Sequence, residues 1–153
     1  MRRSLLCTTV ASLALVAGAA AATDGMTVTL SSHATSARGV RLTVVLRYEV
    51  QCGYPGAEPV VLTLPGRVPA AVPAASVLVN GKPARKVAVR GHNLTVTMPP
   101  PPQILCDSIT LGRLTLVVTR GAALENPAAA GSYLVQAHKG ALAFSSRIAI
   151  KAR

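Results

Sequence analysis

Apolar and polar side chains alternate along most of the chain beyond residue 25. In residues 40–50, Val, Leu or Tyr occupies every even position, and Arg, Thr, Val and Glu occupy the odd ones. A period of two over this length predicts a strand in a sheet with one face buried. Similar runs predict further strands at residues 26–30, 59–64, 77–79, 85–90, 94–98, 109–119, 133–138 and 144–151.

Turn-forming residues separate these runs. Asn80-Gly81 is the strongest hairpin signal, and Gly91-His92-Asn93 is a three-residue connection whose Gly and Asn tolerate positive φ. Together the two turns predict that residues 77–98 form one continuous hairpin unit. Prolines within residues 67–75 predict an extended crossover there, because proline cannot donate to a central ladder.

The number and spacing of these short strands, without a convincing helix, predict a sandwich or a barrel and exclude a doubly wound fold. Asn126, Gly131 and Tyr133 favour the sandwich. A turn closed by Gly, with Tyr two residues later at the start of the penultimate strand, is typical of the tyrosine corner of immunoglobulin-like domains. We therefore expect an all-β immunoglobulin-like β-sandwich of about seven to nine antiparallel strands, formed as a single domain by residues 23–153.

Three motifs, taken in order, resemble an immunoglobulin-like module of bacterial exported and surface proteins. They are VLVNGKPA at residues 77–84, VAVRG at 87–91 with LTVT at 94–97, and AALENP at 122–127 with AGSY at 130–133. The resemblance implies a surface or envelope role and assigns no catalytic residues to this chain.

The N-terminus has the pattern of a secretory signal peptide. Arg2 and Arg3 precede an apolar run that ends in alanines before Thr23, so we predict a signal peptide over residues 1–22. An uncleaved signal anchor is the alternative, because the run is about long enough to span a bilayer. Arg2-Arg3 also fits a loose twin-arginine export pattern. No later run is apolar enough for a transmembrane helix, so we expect an extracytoplasmic protein that is secreted or held in the cell envelope or periplasm.

Two cysteines, Cys52 and Cys106, remain once Cys7 has left with the signal peptide. An exported chain meets an oxidising environment, so we predict a disulfide bond between them. Alternation also places Cys52 on the inward side with Val50. The competing interpretations are a free reactive thiol and half of a metal site, and neither cysteine has an adjacent His or Lys to support them.

Charge gives the main functional indication, because Lys and Arg number 16 and Asp and Glu only 5. Alternation puts Lys86 and Arg90 on the outer face of the predicted hairpin unit, whereas Arg85 needs an edge or a partner. Such a field attracts an anionic cell-wall polymer, an acidic glycan or a lipid headgroup. The simpler interpretation, which the sequence favours, is that these are solubilising charges that only protect a sheet edge from aggregation. The candidate residues for binding an anionic partner are Lys82, Arg85, Lys86 and Arg90.

Motifs for catalysis are absent from the sequence. His33, His92 and His138 lie far apart and in no metal-ligand pattern, and no common serine-nucleophile motif occurs. We therefore predict a non-catalytic binding or structural module without metal or cofactor. The sequence does not identify a partner. The candidates are an anionic cell-wall polymer, a glycan and another exported protein, whereas nucleic acid is disfavoured because no aromatic residues interleave with the basic ones. A small exported hydrolase or transfer enzyme is the alternative, because the fold, not the sequence, sets the separation of a carboxylate pair.

Overall fold

The structure, a computed structural model, describes residues 25–100 and 107–153 and consists mainly of strands. The predicted signal peptide lies outside these residues. The two helical elements within them are short 3-10 turns, Ala74–Ser76 and Arg120–Ala122. No helix in these ranges is long and apolar enough to cross a membrane. The strands are β1 (Gly25–Leu30), β2 (Leu42–Gln51), β3 (Val60–Thr63), β4 (Val77–Val79), β5 (Lys82–Pro83), β6 (Lys86–Arg90), β7 (Asn93–Thr97), β8 (Ile109–Val118), β9 (Gly131–Lys139) and β10 (Leu142–Ile150).

The strands form two antiparallel sheets of five strands each. The first sheet has the order β1-β2-β8-β4-β5, and the second has the order β10-β9-β3-β7-β6. The predicted all-β, immunoglobulin-like sandwich is therefore confirmed. The described strands number ten, somewhat more than the seven to nine expected, because the two-residue β5 forms an element of its own.

Branched aliphatic side chains from both sheets make up the core. Leu46 and Leu114 face each other across β2 and β8, and both are completely buried. Phe144 of the second sheet packs on Tyr48 of the first, with ring centroids 5.8 Å apart. Each fully buried Leu or Val stabilises the fold by roughly 1.5–3 kcal/mol relative to exposure. Burial of the apolar side chains that alternate along the strands is therefore the main source of stability.

The chain passes from the first sheet to the second between Ala84 and Arg85. The N–H of Ala84 donates to the carbonyl of Val77 at 2.8 Å, and the N–H of Arg85 donates to the carbonyl of Thr97 at 3.1 Å. The edge strands β5 and β6 are thereby joined through one short corner. We call residues 82–90 the closed edge.

The prediction of one hairpin unit over residues 77–98 is wrong. The Asn80-Gly81 turn does join β4 to β5, and both residues have positive φ, as a two-residue hairpin turn requires. However, β6 and β7 pair in the other sheet. The predicted crossover at residues 67–75 belongs to neither sheet. Residues 68–73 form no regular element, with Val72 buried against the core, and the 3-10 turn Ala74–Ser76 follows them.

Candidate functional site

The four basic residues nominated from the sequence all lie on the closed edge. Lys82 belongs to β5, Lys86 and Arg90 belong to β6, and Arg85 lies at the corner between these strands. All four side chains are exposed. Because the chain runs from β5 directly into β6, the four cations follow one another along a single edge of the sandwich, with Arg90 at the far end of β6 from the corner.

Alternation along β6 determines which way its charges point. Lys86 and Arg90 are exposed, whereas Val87 and Val89 between them are partly buried. Arg85 has the same parity as the two valines, but it is exposed at the rim because no further strand covers β6 among the described residues.

No carboxylate neutralises the closed edge within the described residues. The ion pairs in that part of the chain join Arg38 to Glu125 at 3.8 Å and Lys139 to Glu58 at 3.1 Å. The cations of the closed edge therefore act together on their surroundings. Because they are exposed, salt screens their field beyond about 8–10 Å.

A cavity of about 580 Å³ opens between the loop at residues 51–58 and the turn that joins β9 to β10. No pattern in the sequence indicates this cavity. The Tyr48 hydroxyl donates to the Pro55 carbonyl at 2.7 Å, and the Tyr54 hydroxyl donates to the Pro99 carbonyl at 3.3 Å. Both hydroxyl protons are thus engaged by backbone acceptors.

Lys139 is a buried cation beside this cavity, only 3% exposed. Its Nζ donates to the Glu58 carbonyl at 2.9 Å, to Glu58 Oε2 at 3.1 Å and to the Gly56 carbonyl at 3.4 Å. Three acceptors match the three donors of an ammonium group. Lys139 therefore fastens the 56–58 loop to β9. Alternation through Val135 and Ala137 would have predicted its inward position.

The pKa values around this cavity do not favour acid–base catalysis. Burial raises the pKa of Tyr48, and the charge of Glu58 raises it further. Burial likewise raises the pKa of Tyr54. The backbone N–H of Glu58 lowers the pKa of its own carboxyl group, with Lys139 adding to the effect. General acid–base catalysis works best with a pKa near the operating pH, and these shifts move all three groups away from neutrality.

The residues nominated as a tyrosine corner make two separate sets of contacts. The Tyr133 hydroxyl donates to the Ala129 carbonyl at 2.8 Å, and its ring lies against Gly131. Buried Asn126 instead donates through Nδ2 to the carbonyls of Ser32 and Ala34, both at 2.9 Å. Asn126 thus fastens the loop between β1 and β2.

Cys52 lies just beyond the end of β2 with a positive φ of 57° and is partly buried. The strand alternation ends at Gln51, so the inward position predicted for the Cys52 sulfur does not follow from it. Cys106 lies outside the described residues. The disulfide bond between them stays a prediction.

The three histidines lie in different parts of the fold. His33 Nδ1 is 2.8 Å from the Ala149 carbonyl, and His92 Nδ1 is 2.9 Å from the Gly66 carbonyl. His138 is exposed on β9. Residues 25–100 and 107–153 contain no group of three or more His, Cys, Asp or Glu side chains able to hold a metal ion.

Comparison with known proteins shows a likeness in fold. No protein-family model matches the chain, and no curated protein matches it. Among solved structures, it is similar to a crystal structure of BslA, described as a bacterial hydrophobin. The sequence identity is 16% and the TM-score 0.55, over 86% of this chain and all of that one. At this identity the likeness shows the fold, an immunoglobulin-like sandwich.

Proposed function

We propose that the protein is a secreted or cell-envelope-associated, non-catalytic immunoglobulin-like module that contacts an anionic polymer through its closed edge. The observation that carries the proposal is that Lys82, Arg85, Lys86 and Arg90 are all exposed along the closed edge. The similar fold of a bacterial hydrophobin supports a structural role, and the resemblance to modules of exported proteins supports an envelope location.

Charge and side-chain chemistry together favour a flexible polyanion as the partner. An exposed row of cations attracts a repeated negative charge more strongly than a single small anion, because each contact brings the next charge within reach. Nucleic acid fits less well, because none of the aromatic residues of the chain, Tyr48, Tyr54, Tyr133 and Phe144, belongs to the closed edge.

Charge reversal at the closed edge tests this function. The double variant Lys86→Glu/Arg90→Glu should elute from phosphocellulose at much lower salt than wild type. Its thermal stability should change little, because both side chains are exposed.

A matched variant separates the edge from net charge. Arg147→Glu/Arg153→Glu changes the charge equally at two exposed positions outside the closed edge, and it should elute much closer to wild type. Equal losses of retention in the two variants would mean that the closed edge has no specific role in polymer binding. Its charges would then only protect β5 and β6 from aggregation.

A second candidate function is activity at an apolar interface. Ile109 and Leu111, on the outward side of β8, are 70% and 48% exposed. Large apolar side chains that share one surface often mark an interaction site, and the similar fold of a bacterial hydrophobin favours this alternative.

Interfacial tension distinguishes the second function from the first. Ile109→Ser/Leu111→Ser should slow the fall in tension at an oil–water drop if these side chains insert into the oil. Leu134→Ser is the control, because Leu134 is 42% exposed on the other sheet. Wild-type kinetics in the double variant would reject the interfacial function and leave polymer binding untouched.

A further inference from the structure

Two arginines face each other on the outer side of the first sheet. Arg47 of β2 is directly opposite Arg113 of β8, and both side chains are exposed. The N–H of Cys52 donates to the Ser108 carbonyl at 2.8 Å. Because hydrogen-bonded and non-hydrogen-bonded pairs alternate along an antiparallel ladder, Arg47 and Arg113 form a non-hydrogen-bonded pair, in which side chains are closest.

This pairing of like charges is unfavourable in the free protein. Directly opposed Cβ atoms are about 4.5–5.5 Å apart, and like charges at that position destabilise a sheet. Glu49 follows on the same side of β2, yet neither arginine forms an ion pair with a carboxylate among the described residues. An anion bound between the two guanidinium groups would remove the repulsion.

A second pair of arginines lies further along the same sheet. Arg41, just before β2, and Arg120, just after β8, line one open concavity of about 540 Å³. Leu78 and Val117 form its apolar floor, and Ser31 and Thr119 complete the lining. Arg41 and Arg47 are six positions apart, which places the two pairs about 20 Å from each other along an extended strand.

The surface between the two pairs is uncharged and rich in hydroxyl groups. Thr43 and Val45 of β2 point outward there, as do Thr115 and Val117 of β8 and Thr27 and Thr29 of β1. No acidic residue of these three strands lies between the pairs, so a negatively charged chain meets no repulsion on the way. We call Arg41, Arg47, Arg113 and Arg120 the arginine face.

We propose that the arginine face binds a phosphate-bearing polymer that is long enough to reach both pairs. Phosphate is the group indicated because arginine presents a planar fork of N–H donors that matches phosphate bidentately. The neighbouring threonine hydroxyls add neutral donors to phosphate oxygens. This surface lies on the outer side of the first sheet and shares no residue with the closed edge, although Leu78 in its floor pairs with Pro83 of that edge. The inference goes beyond the proposed function by adding a second surface for an anionic partner.

Chain length provides the sharpest test. Binding of end-labelled linear polyphosphates to the mature protein is followed by fluorescence anisotropy, with oligomers shorter and longer than about 20 Å when extended. Wild-type affinity should increase at least tenfold once the oligomer spans both pairs, because the second contact becomes intramolecular. Polyglutamate of the same length should bind more weakly and show a smaller increase.

Two pair variants examine the face directly. Arg47→Ser/Arg113→Ser and Arg41→Ser/Arg120→Ser should each abolish the length-dependent increase while still binding short polyphosphate. The control Arg147→Ser/Arg153→Ser removes equal charge and should keep the increase. Circular dichroism melts establish that each variant is folded.

The outcomes separate this inference from the proposed function. Lys86→Ser/Arg90→Ser should lower overall retention on phosphocellulose but keep the length-dependent increase in affinity. Retention therefore reports on the closed edge, and the length-dependent increase reports on the arginine face. The inference is overturned if both pair variants match the control, or if polyglutamate binds as well as polyphosphate. It is also overturned if wild type binds phosphatidylglycerol vesicles but not soluble polyphosphate.

Discussion

Gly66 is constrained to have no side chain by a backbone segment that is distant in the sequence. In the structure a Cβ at Gly66 would collide with the backbone carbonyl of Glu125, and the adjacent Arg67 exchanges two backbone hydrogen bonds with Glu125 at 2.9 and 3.0 Å. A backbone obstacle cannot rotate away as a side chain can.

Gly66→Ala should therefore destabilise the protein by about 1–3 kcal/mol, the usual cost of overpacking. Urea denaturation monitored by circular dichroism measures the change. Gly131→Ala is the matched control, because its new Cβ would be 3.5 Å from the Tyr133 ring, an ordinary contact. Equal costs for the two substitutions would show that the approach of Glu125 to Gly66 is looser than described.

Glu58 should make stability depend on pH in the acid range. Its folded pKa lies below its ordinary value of 4.5, through its own backbone N–H first and Lys139 second. A carboxyl group with a lowered folded pKa stabilises the fold above the unfolded pKa, and the contribution is lost as pH falls through the folded value. Because the Glu58 side chain is 62% exposed, the contribution should stay below about 1 kcal/mol.

The test compares wild type with Glu58→Gln in urea titrations between pH 7 and pH 3. The difference in unfolding free energy should be constant down to about pH 5 and should shrink below about pH 4.5. In a Lys139→Met background it should be smaller throughout, because one partner of the ion pair is gone. A wild-type advantage that is the same at pH 3 as at pH 7 would contradict the assignment.

At the scale of strands and turns, the alternation predicted nearly every strand to within two residues, because burial on one face is a local property of the sequence. The error came at Ala84 and Arg85. Turn residues specify which strands form a hairpin, but the sheet that a hairpin joins depends on distant pairings, such as β4 with β8 and β3 with β9. The basic residues of the candidate site could be predicted from the sequence. Their arrangement could not, because the closed edge forms only where the two sheets meet.

The tyrosine corner is the element whose contacts can be tested most simply. Tyr133→Phe removes the hydroxyl group that donates a hydrogen bond to the Ala129 carbonyl. The substitution should lower the unfolding free energy by about 1 kcal/mol or less, which is the net value of one such bond near the surface. The ring is partly exposed, so Tyr133→Ala should cost less than the roughly 3–5 kcal/mol of a fully buried aromatic site.

Urea melts of the two Tyr133 variants give both values. Tyr54→Phe serves as a comparison, because its hydroxyl makes a longer bond of 3.3 Å to Pro99 and should contribute less. Wild-type stability in both Tyr133 variants would mean that the corner does not hold β9 in place.

At the scale of the whole molecule, the core has few aromatic side chains, so a covalent link would add substantially to stability. The chain has one Phe, three Tyr and no Trp, so its core relies on smaller aliphatic side chains. Single domains are typically stable by only about 5–15 kcal/mol. A bond between Cys52 and Cys106 would close a loop that contains β3 to β7, and in the chain-entropy model it would contribute roughly 4 kcal/mol.

Urea denaturation of three samples tests this link: oxidised wild type, reduced wild type and the variant Cys52→Ser/Cys106→Ser. Oxidised wild type should be the most stable by roughly 4 kcal/mol, less any strain, and reductant should bring it to the level of the double variant. Reductant should not affect the double variant, which controls for effects on the remainder of the fold. Mass spectrometry after alkylation without reductant should find no label on either cysteine. If both become labelled in the folded, oxidised protein, the link does not exist, and the aliphatic core together with the closed edge must hold the two sheets by themselves.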